Sequence, residues 1–325
     1  MHGIELATCT DDELAAVQLL LLEHHVVFFR DQQLDDEQHE AFARRWGDPI
    51  PSPVVAHLGG AQTMGVVFND EDHPPDTDGE GWHTDHSWAS YIPDVAILRA
   101  VTVPPVGGDT LWSDIEAAYR ALSPAMQQFL AGLTARHDPG PRFELEMRAR
   151  MPDELVDRAL AAFPGIDHPV IMAHPVTGAP GVFVNPGYTR HINGVSRAES
   201  DHLLRYLFDL IGRPEFICRF RWDEGSVAIW DEHATVHRGP QDFGVARREL
   251  HRFTVGAGSP APTAEVRRRL VGVGLVTDVA NEGLERAFEG DEAQESTSPV
   301  RTSAIWRRAR RMARMRSRTV DRARR

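Results

Sequence analysis

Short β-type runs recur along this chain without a regular strand-helix-strand alternation, and that irregularity is the strongest constraint on its fold. "MGVVF" from Met64, "VAILRAVTV" from Val95, "EFICRFRW" from Glu215, "SVAIW" from Ser226 and "ELHRFTV" from Glu249 are rich in β-branched and aromatic residues. Regular βαβ units would build a parallel sheet wrapped by helices. Their absence leaves a mainly β fold, a sandwich or barrel-like core with flanking helices. The 325 residues, 42% of them hydrophobic, are enough to bury such a core.

Helices are expected where capping residues precede a period near 3.6. "TDDELAAVQLLLLEHH" opens on Thr10 with Glu13 three positions on, a capping box. "VVFF" then reads as a buried strand. "DDEQHEAFARRWGD" predicts a second helix with Phe42 and Trp46 on one face and Gly47 as its stop. "VGGDTLW" is a turn into a strand, and Ser123 with Pro124 starts a helix over "SPAMQQFLAGL". "HPVIMAHPVTGAPGVFVN" predicts a hairpin bent around Thr177 and Gly178. "SRAESDHLLRYLFDLIGRP" predicts a helix carrying Leu203, Leu204, Leu207 and Leu210 at helical spacing.

The acidic, proline-bearing stretch from Asn69 to Gly81 is expected to form a lid over whatever follows it. After about Gly256 the pattern weakens into "GSPAPTAEVRRR" and the polar "NEGLERAFEGDEAQESTSPV". The sequence therefore divides into a globular unit over residues 1–260 and a linker with an arginine-rich tail over 261–325, partly disordered or helical.

Charge is distributed unevenly between these parts. The last 25 residues hold eleven Arg and one Asp, a net +10, so the overall −13 leaves −23 on the other 300 residues. An acidic body argues against a nucleic-acid partner. The tail, with Ile305, Ala309 and Met312 at helical spacing, reads as a frayed end or one docked on that body ahead of a membrane or nucleic-acid contact. Cys9 and Cys218 belong to no CxxC pattern, which fits a reducing, cytoplasmic setting. No basic leader precedes an apolar segment, and the longest apolar run is broken by Gln18, Glu23, His24 and His25, so neither export nor membrane insertion is expected.

The chemistry concentrates in "GEGWHTDHSWAS", residues 79–90. His83 and Asp85 point the same way if their segment is an extended strand. A lone His-x-Asp is weak evidence, because such pairs also form turns. His237, placed by "WDEHATVHRGP" at the end of a predicted strand, changes its weight. Two histidines and a carboxylate can occupy one face of an octahedral Fe(2+), leaving the other face for dioxygen and substrates. The absence of cysteine ligands argues against zinc and iron–sulfur sites.

Arg248 and Arg252, four apart in a strand-like run, share a face and sit about 13 Å apart along it. One planar fork could grip an organic acid bound to the metal while the other addresses a different anion. His86 falls on the opposite strand face from Asp85 and is expected at a pocket rim or the surface. Trp88 reads as substrate wall or as core, and His233 as a rival to His237. His251 should face away from the two arginines, and Arg247 should be solvated.

"WHTD", "GGDTLW", "HPVTGAPGVFVNPGYTRHINGVSRAESDHLL" and "WDEHATVH…RRELHR", in this order over most of residues 10–255, resemble the taurine dioxygenase-like branch of the iron(II)/2-oxoglutarate-dependent oxygenases. The resemblance implies a double-stranded β-helix, or jelly roll, with His83, Asp85 and His237 holding iron. It implies further that Arg248, helped by the Thr110 hydroxyl, binds the distal carboxylate of 2-oxoglutarate, while Arg252 faces the primary substrate or orients the cosubstrate. His86 and Trp88 are the remaining candidates for substrate contact.

The implied reaction consumes O2 and 2-oxoglutarate, releases succinate and CO2, and hydroxylates a C–H bond of a small, anionic molecule. Two departures stand out: Glu232 and His233 replace the family's common Asn-Arg, and Gly79, Glu80 and Gly81 lie where its namesake has an Asn. A zinc or manganese jelly-roll enzyme and a non-catalytic binding protein are the competing readings, and a homo-oligomeric assembly stays open.

Overall fold

The computed structural model describes residue 1, residues 3–72 and residues 81–256. Most of the expected lid, including Gly79 and Glu80, lies outside the described residues, as do the linker and the arginine-rich tail.

Thr10 opens α1 (Asp11–His24) with the expected reciprocal cap: its hydroxyl accepts from Glu13 N, and the Glu13 carboxylate accepts from Thr10 N. His25 closes the helix in the left-handed region at φ 62°, and the chain passes directly into β1 (Val26–Phe29). Asp35 and Gln38 cap α2 (Asp36–Arg44) in the same way. This helix stops before Gly47, with Arg45 as its cap. Trp46 lies beyond the last turn and still meets Phe42, ring centroids 6.3 Å apart, because both are buried in one cluster.

Then come α3 (Pro53–His57), β2 (Met64–Asn69), β3 (Val95–Thr102) and β4 (Thr110–Asp114). Next are α4 (Ile115–Arg120), α5 (Pro124–Leu130), capped by Ser123 as expected, and β5 (Thr134–His137). Two helices follow, α6 (Gly140–Arg150) and α7 (Asp153–Ala162), then β6 (Ile166–Pro169). The predicted hairpin is β7 (Ile171–Ala173) and β8 (Pro180–Val182), paired Ile171 to Val182 and Ala173 to Pro180. After β9 (Thr189–Ile192) and α8 (Arg197–Ile211) the chain ends its described course in β10 (Ile217–Phe220), β11 (Val227–Asp231), β12 (Thr235–Arg238) and β13 (Arg248–Val255).

All strand pairings are antiparallel, in sheets ordered β1-β11-β3-β13-β2, β10-β4-β12, β6-β5-β9 and β7-β8. Alternation along the large sheet explains the layering. Val95, Ile97, Val227, Ile229 and Phe253 point outward to α1 and α2, while Ala96, Leu98, Ala228, Trp230 and Leu250 meet Trp112 and Phe220 of the second sheet and Trp222 just beyond β10. Leu204, Leu207 and Leu210 of α8 bury against Ile115, Tyr119 and Val182. The result is several antiparallel sheets with helices around them. No described helix is long and apolar enough to cross a membrane.

His251 faces the α2 side, as its position between the arginines requires. Its Nδ1 lies 2.7 Å from Asp36 Oδ1 and its Nε2 3.0 Å from Glu249 Oε1. His39 of α2 is fully buried against Phe253, with ring centroids 4.8 Å apart. Burial above all, then the charges of Arg99 and His251, push its pKa from 6.5 down to about 3. An unfolded histidine takes up its proton first as pH falls, so this contribution to stability is complete above 6.5 and is lost toward pH 3. Thermal melts should show Tm falling across that window, with a shallower fall in His39→Leu than in the parent.

Candidate metal centre

The centre rests on a single pair of backbone hydrogen bonds at the edge of β12. His237 faces Trp112 of β4 on one side. On the other, His83 N donates to His237 O at 2.9 Å and His237 N donates to His83 O at 2.8 Å. Residues exchanging both bonds project their side chains on the same face. The two imidazoles accordingly stand 4.3 Å apart, centroid to centroid. Thr84 adds a bond from its hydroxyl to Thr235 O at 3.3 Å.

Asp85 departs from the expected strand. The chain enters a turn there, with Ser87 N donating to Thr84 O at 3.3 Å and Ala89 N to His86 O at 2.8 Å. That turn brings the carboxylate round to the histidines: Oδ1 is 3.8 Å from His83 Nε2 and 4.0 Å from His237 Nε2. These three are the one group among the described residues whose ligand atoms all lie within 4.8 Å of one another.

The donors suit a divalent ion. His83 Nδ1 is 3.0 Å from Gly81 O, and since a carbonyl only accepts, Nδ1 is the donor there and Nε2 is the ring atom turned to the cluster. Burial, reinforced by His83, holds His237 well below the usual histidine range, hence neutral. Burial opposes ionisation of Asp85, but Arg252 foremost, with His237, His86 and His83, holds its carboxyl well below the ordinary range. His83 Nε2, His237 Nε2 and an Asp85 carboxylate oxygen are the atoms that would hold the ion.

Arg252 reaches this centre itself: Nη1 lies 2.7 Å from Asp85 Oδ2 and 3.0 Å from Oδ1. With His86 it lines a cleft of about 190 Å³ whose walls include Ile50, Ser52, Val55, Met64 and Thr254. His86 therefore corrects the surface alternative of the sequence expectation, while its place in the cleft wall agrees with the pocket-rim alternative. At φ 60° the turn swings it inward instead of alternating outward, and it is buried. Burial, with Arg252 adding and Asp85 opposing, pushes its pKa down to about 4. Trp88 is buried between Phe143 and Phe163, centroids 5.2 and 5.0 Å away, which is the core alternative foreseen for it. Tyr188, not singled out in the sequence, sets its ring edge against His83 at 5.9 Å.

The other arginine lies at the far end of the same strand face. Arg248 is buried, donates from Nε to Gly108 O at 3.1 Å, and stands 5.6 Å from the Phe243 ring centroid. Thr110, two residues past Gly108, accepts from Trp222 Nε1 at 2.9 Å. Arg247 is exposed and pairs with Glu249, as expected.

Glu232 is the residue that sequence reasoning undervalued. Fully buried, it accepts from Asp85 N at 3.1 Å and from Trp230 Nε1 at 2.7 Å. Burial, then the Asp85 charge, raises its carboxyl well above the ordinary range. Its signal was the departure at "WDEH", and the side chain braces the aspartate, not the distal histidine. His233 points elsewhere, with Nε2 3.1 Å from Asp94 Oδ1, and does not share the cluster.

Two imidazoles and a carboxylate on an antiparallel β scaffold make the centre of a mononuclear metal enzyme. The profile described as "Taurine catabolism dioxygenase TauD, TfdA family" matches residues 2–254. The chain is 32% identical over 298 residues to an alkylsulfatase of Acinetobacter baylyi, spanning 88% of this chain and 90% of that one. It is 32% identical over 269 residues to an alpha-ketoglutarate-dependent sulfate ester dioxygenase of Pseudomonas putida, spanning 80% and 86%. The crystal structure of a taurine dioxygenase from Burkholderia xenovorans shares the fold with a TM-score of 0.65 at 34% identity, over 80% of this chain and 88% of that one. The chain belongs to the TauD/TfdA family of alpha-ketoglutarate (2-oxoglutarate)-dependent dioxygenases.

Calorimetric titration with a divalent metal should separate the two candidate distal histidines. His237→Ala is expected to abolish binding. His233→Ala should keep it while losing about 1–3 kcal/mol of stability in denaturant melts, because Asp94 is left buried without its partner.

Proposed function

We propose that the unit spanning residues 1–260 is an oxygenase that holds Fe(2+) with His83, Asp85 and His237 on a closed jelly roll and oxidises a small anionic substrate, an alkyl sulfate ester or sulfonate. The observation that carries this reading is the convergence of two imidazoles and one carboxylate, with Oδ1 of Asp85 3.8 and 4.0 Å from the two Nε2 atoms. Imidazole and carboxylate without thiolate suit ferrous iron. When bound, the ion supplies dioxygen activation coupled to oxidative decarboxylation of 2-oxoglutarate, giving succinate, CO2 and a hydroxylated C–H position.

The protein's own share is binding and orientation. Arg248, with the Thr110 hydroxyl, holds the distal carboxylate of 2-oxoglutarate, a task suited to a buried planar fork. Arg252, which also pairs with Asp85, and His86 line the cleft, and among its described lining residues there is no Asp or Glu, so the Arg252 guanidinium is the charge an anion would meet there. The names of the Acinetobacter and Pseudomonas relatives support a sulfate ester. Hydroxylation of the carbon bearing the ester oxygen would let that C–O bond break as a carbonyl forms, releasing sulfate.

Succinate formation under air should be stimulated by alkyl sulfates and sulfonates and not by alcohols of equal chain length; equal stimulation by the alcohols would overturn the anionic assignment. Anaerobic addition of Fe(2+) and 2-oxoglutarate should give a weak visible charge-transfer band, which a zinc protein would lack. Arg248→Ala should raise the 2-oxoglutarate requirement about 10- to 100-fold, the loss expected for hydrogen bonds to a charged group.

A further inference from the structure

The turn before β4 is fastened to the segment leading into β13 by polar contacts centred on Asp242. Its Oδ1 accepts from Gly108 N at 2.8 Å, and the carbonyl of the same Gly108 accepts from Arg248 Nε at 3.1 Å. Gly107 and Gly108 are both left-handed, at φ 75° and 69°, a run that L side chains do not tolerate. A Cβ on Gly108 would lie 2.9 Å from Pro104 and 3.1 Å from Arg248 Nε, and one on Gly107 2.5 Å from Asp242 O. The second oxygen of Asp242 is 3.3 Å from Arg219 Nη2, and Arg219 Nε donates to Asp109 Oδ2 at 2.6 Å. Phe243, the next residue, lies 5.6 Å from the Arg248 guanidinium.

This arrangement sets how Arg248 can bind. With Nε committed to Gly108 O, the guanidinium plane is fixed, and a carboxylate is met by the Nη1/Nη2 end of the fork and not by its Nε side. The carbonyl is aimed there by the left-handed turn at Gly107 and Gly108, and the Asp242 side chain holds that turn through the Gly108 N–H. The Asp242 side chain is 45% exposed, so its removal opens no cavity in the core.

We infer that Asp242 is a positioning residue for 2-oxoglutarate, presetting the Arg248 fork through Gly108; this rests on the reading of Arg248 as the cosubstrate arginine. It touches neither substrate nor metal. Its effect is confined to the end of the cosubstrate that carries the distal carboxylate.

The test is calorimetric titration of the full-length, Mn(II)-loaded protein with 2-oxoglutarate and with 2-oxobutyrate, which keeps the 2-oxo acid and lacks the distal carboxylate. Asp242→Ala should weaken 2-oxoglutarate binding roughly five- to twenty-fold, about one orienting hydrogen bond, and leave 2-oxobutyrate unchanged. Asp242→Asn, which retains the Oδ1 acceptor, should recover most of the loss. Added to Arg248→Gln, Asp242→Ala should cost nothing further, because the two act on one contact. Equal weakening of both acids would mark a merely structural clasp and overturn the inference. Normal 2-oxoglutarate binding by Asp242→Ala, where Arg248→Gln weakens it, would overturn the inference and leave the Arg248 assignment standing. Normal binding by Arg248→Gln would overturn both.

Discussion

Two backbone hydrogen bonds between His83 and His237, residues 154 positions apart in the chain, are what the rest of the site depends on. β12 is only four residues long, and β4 occupies its other edge. Registers of such short strands are set by their neighbours, and a slip of one residue would send His237 to the opposite face. The Trp112 pairing on one side and the His83 pairing on the other prevent that slip, and the Thr84 hydroxyl adds a third tie. Side-chain chemistry here is a consequence of main-chain register.

Around that pair the protein manages buried charge by giving each group a partner. Asp85 has Arg252 at its carboxylate and Glu232 at its backbone N–H. One layer away Asp231 meets His174 at 2.9 Å and Asp94 meets His233 at 3.1 Å, both pairs almost wholly out of solvent. Unpaired, any of these groups would be costly in so apolar a setting. The stretch Trp230, Asp231, Glu232, His233 thus supplies three polar anchors in a row, which explains how a segment differing from the family's common residues still fits beneath the centre.

Much of this was legible in the sequence because it depends on local rules. Thr10 with Glu13, Ser123 with Pro124 and the Thr177–Gly178 bend carry their own geometry, and His83 with Asp85, weak as a pair, becomes legible once His237 and the ordered motifs of the family are read with it. Other features are set by tertiary partners. Helix α6 buries Met147 alone, so its hydrophobic period is faint, and its better signal lay in the Arg142–Glu146 and Glu144–Arg148 pairs at i, i+4. Strands β5, β6, β9 and β12 are four residues each, too short for alternation to speak. The turn at Asp85, and with it the inward His86, follows from contacts made by Glu232 far along the chain.

The cleft beside Arg252 takes part of its wall from β2, which among the described strands is an edge strand bonded to β13 alone. An edge strand tolerates exchange of its residues more readily than a central one, since fewer neighbours must readjust. At Gly65, opposite Arg252 in register, an added Cβ would rest 3.8 Å from the Arg252 carbonyl oxygen and 3.9 Å from its Nε, ordinary packing distances. A Cβ can thus be seated at that spot on the cleft wall at ordinary contact distance from Arg252. Because the same arginine stands in that wall and against the Asp85 carboxylate, a change on this edge strand is felt at both places.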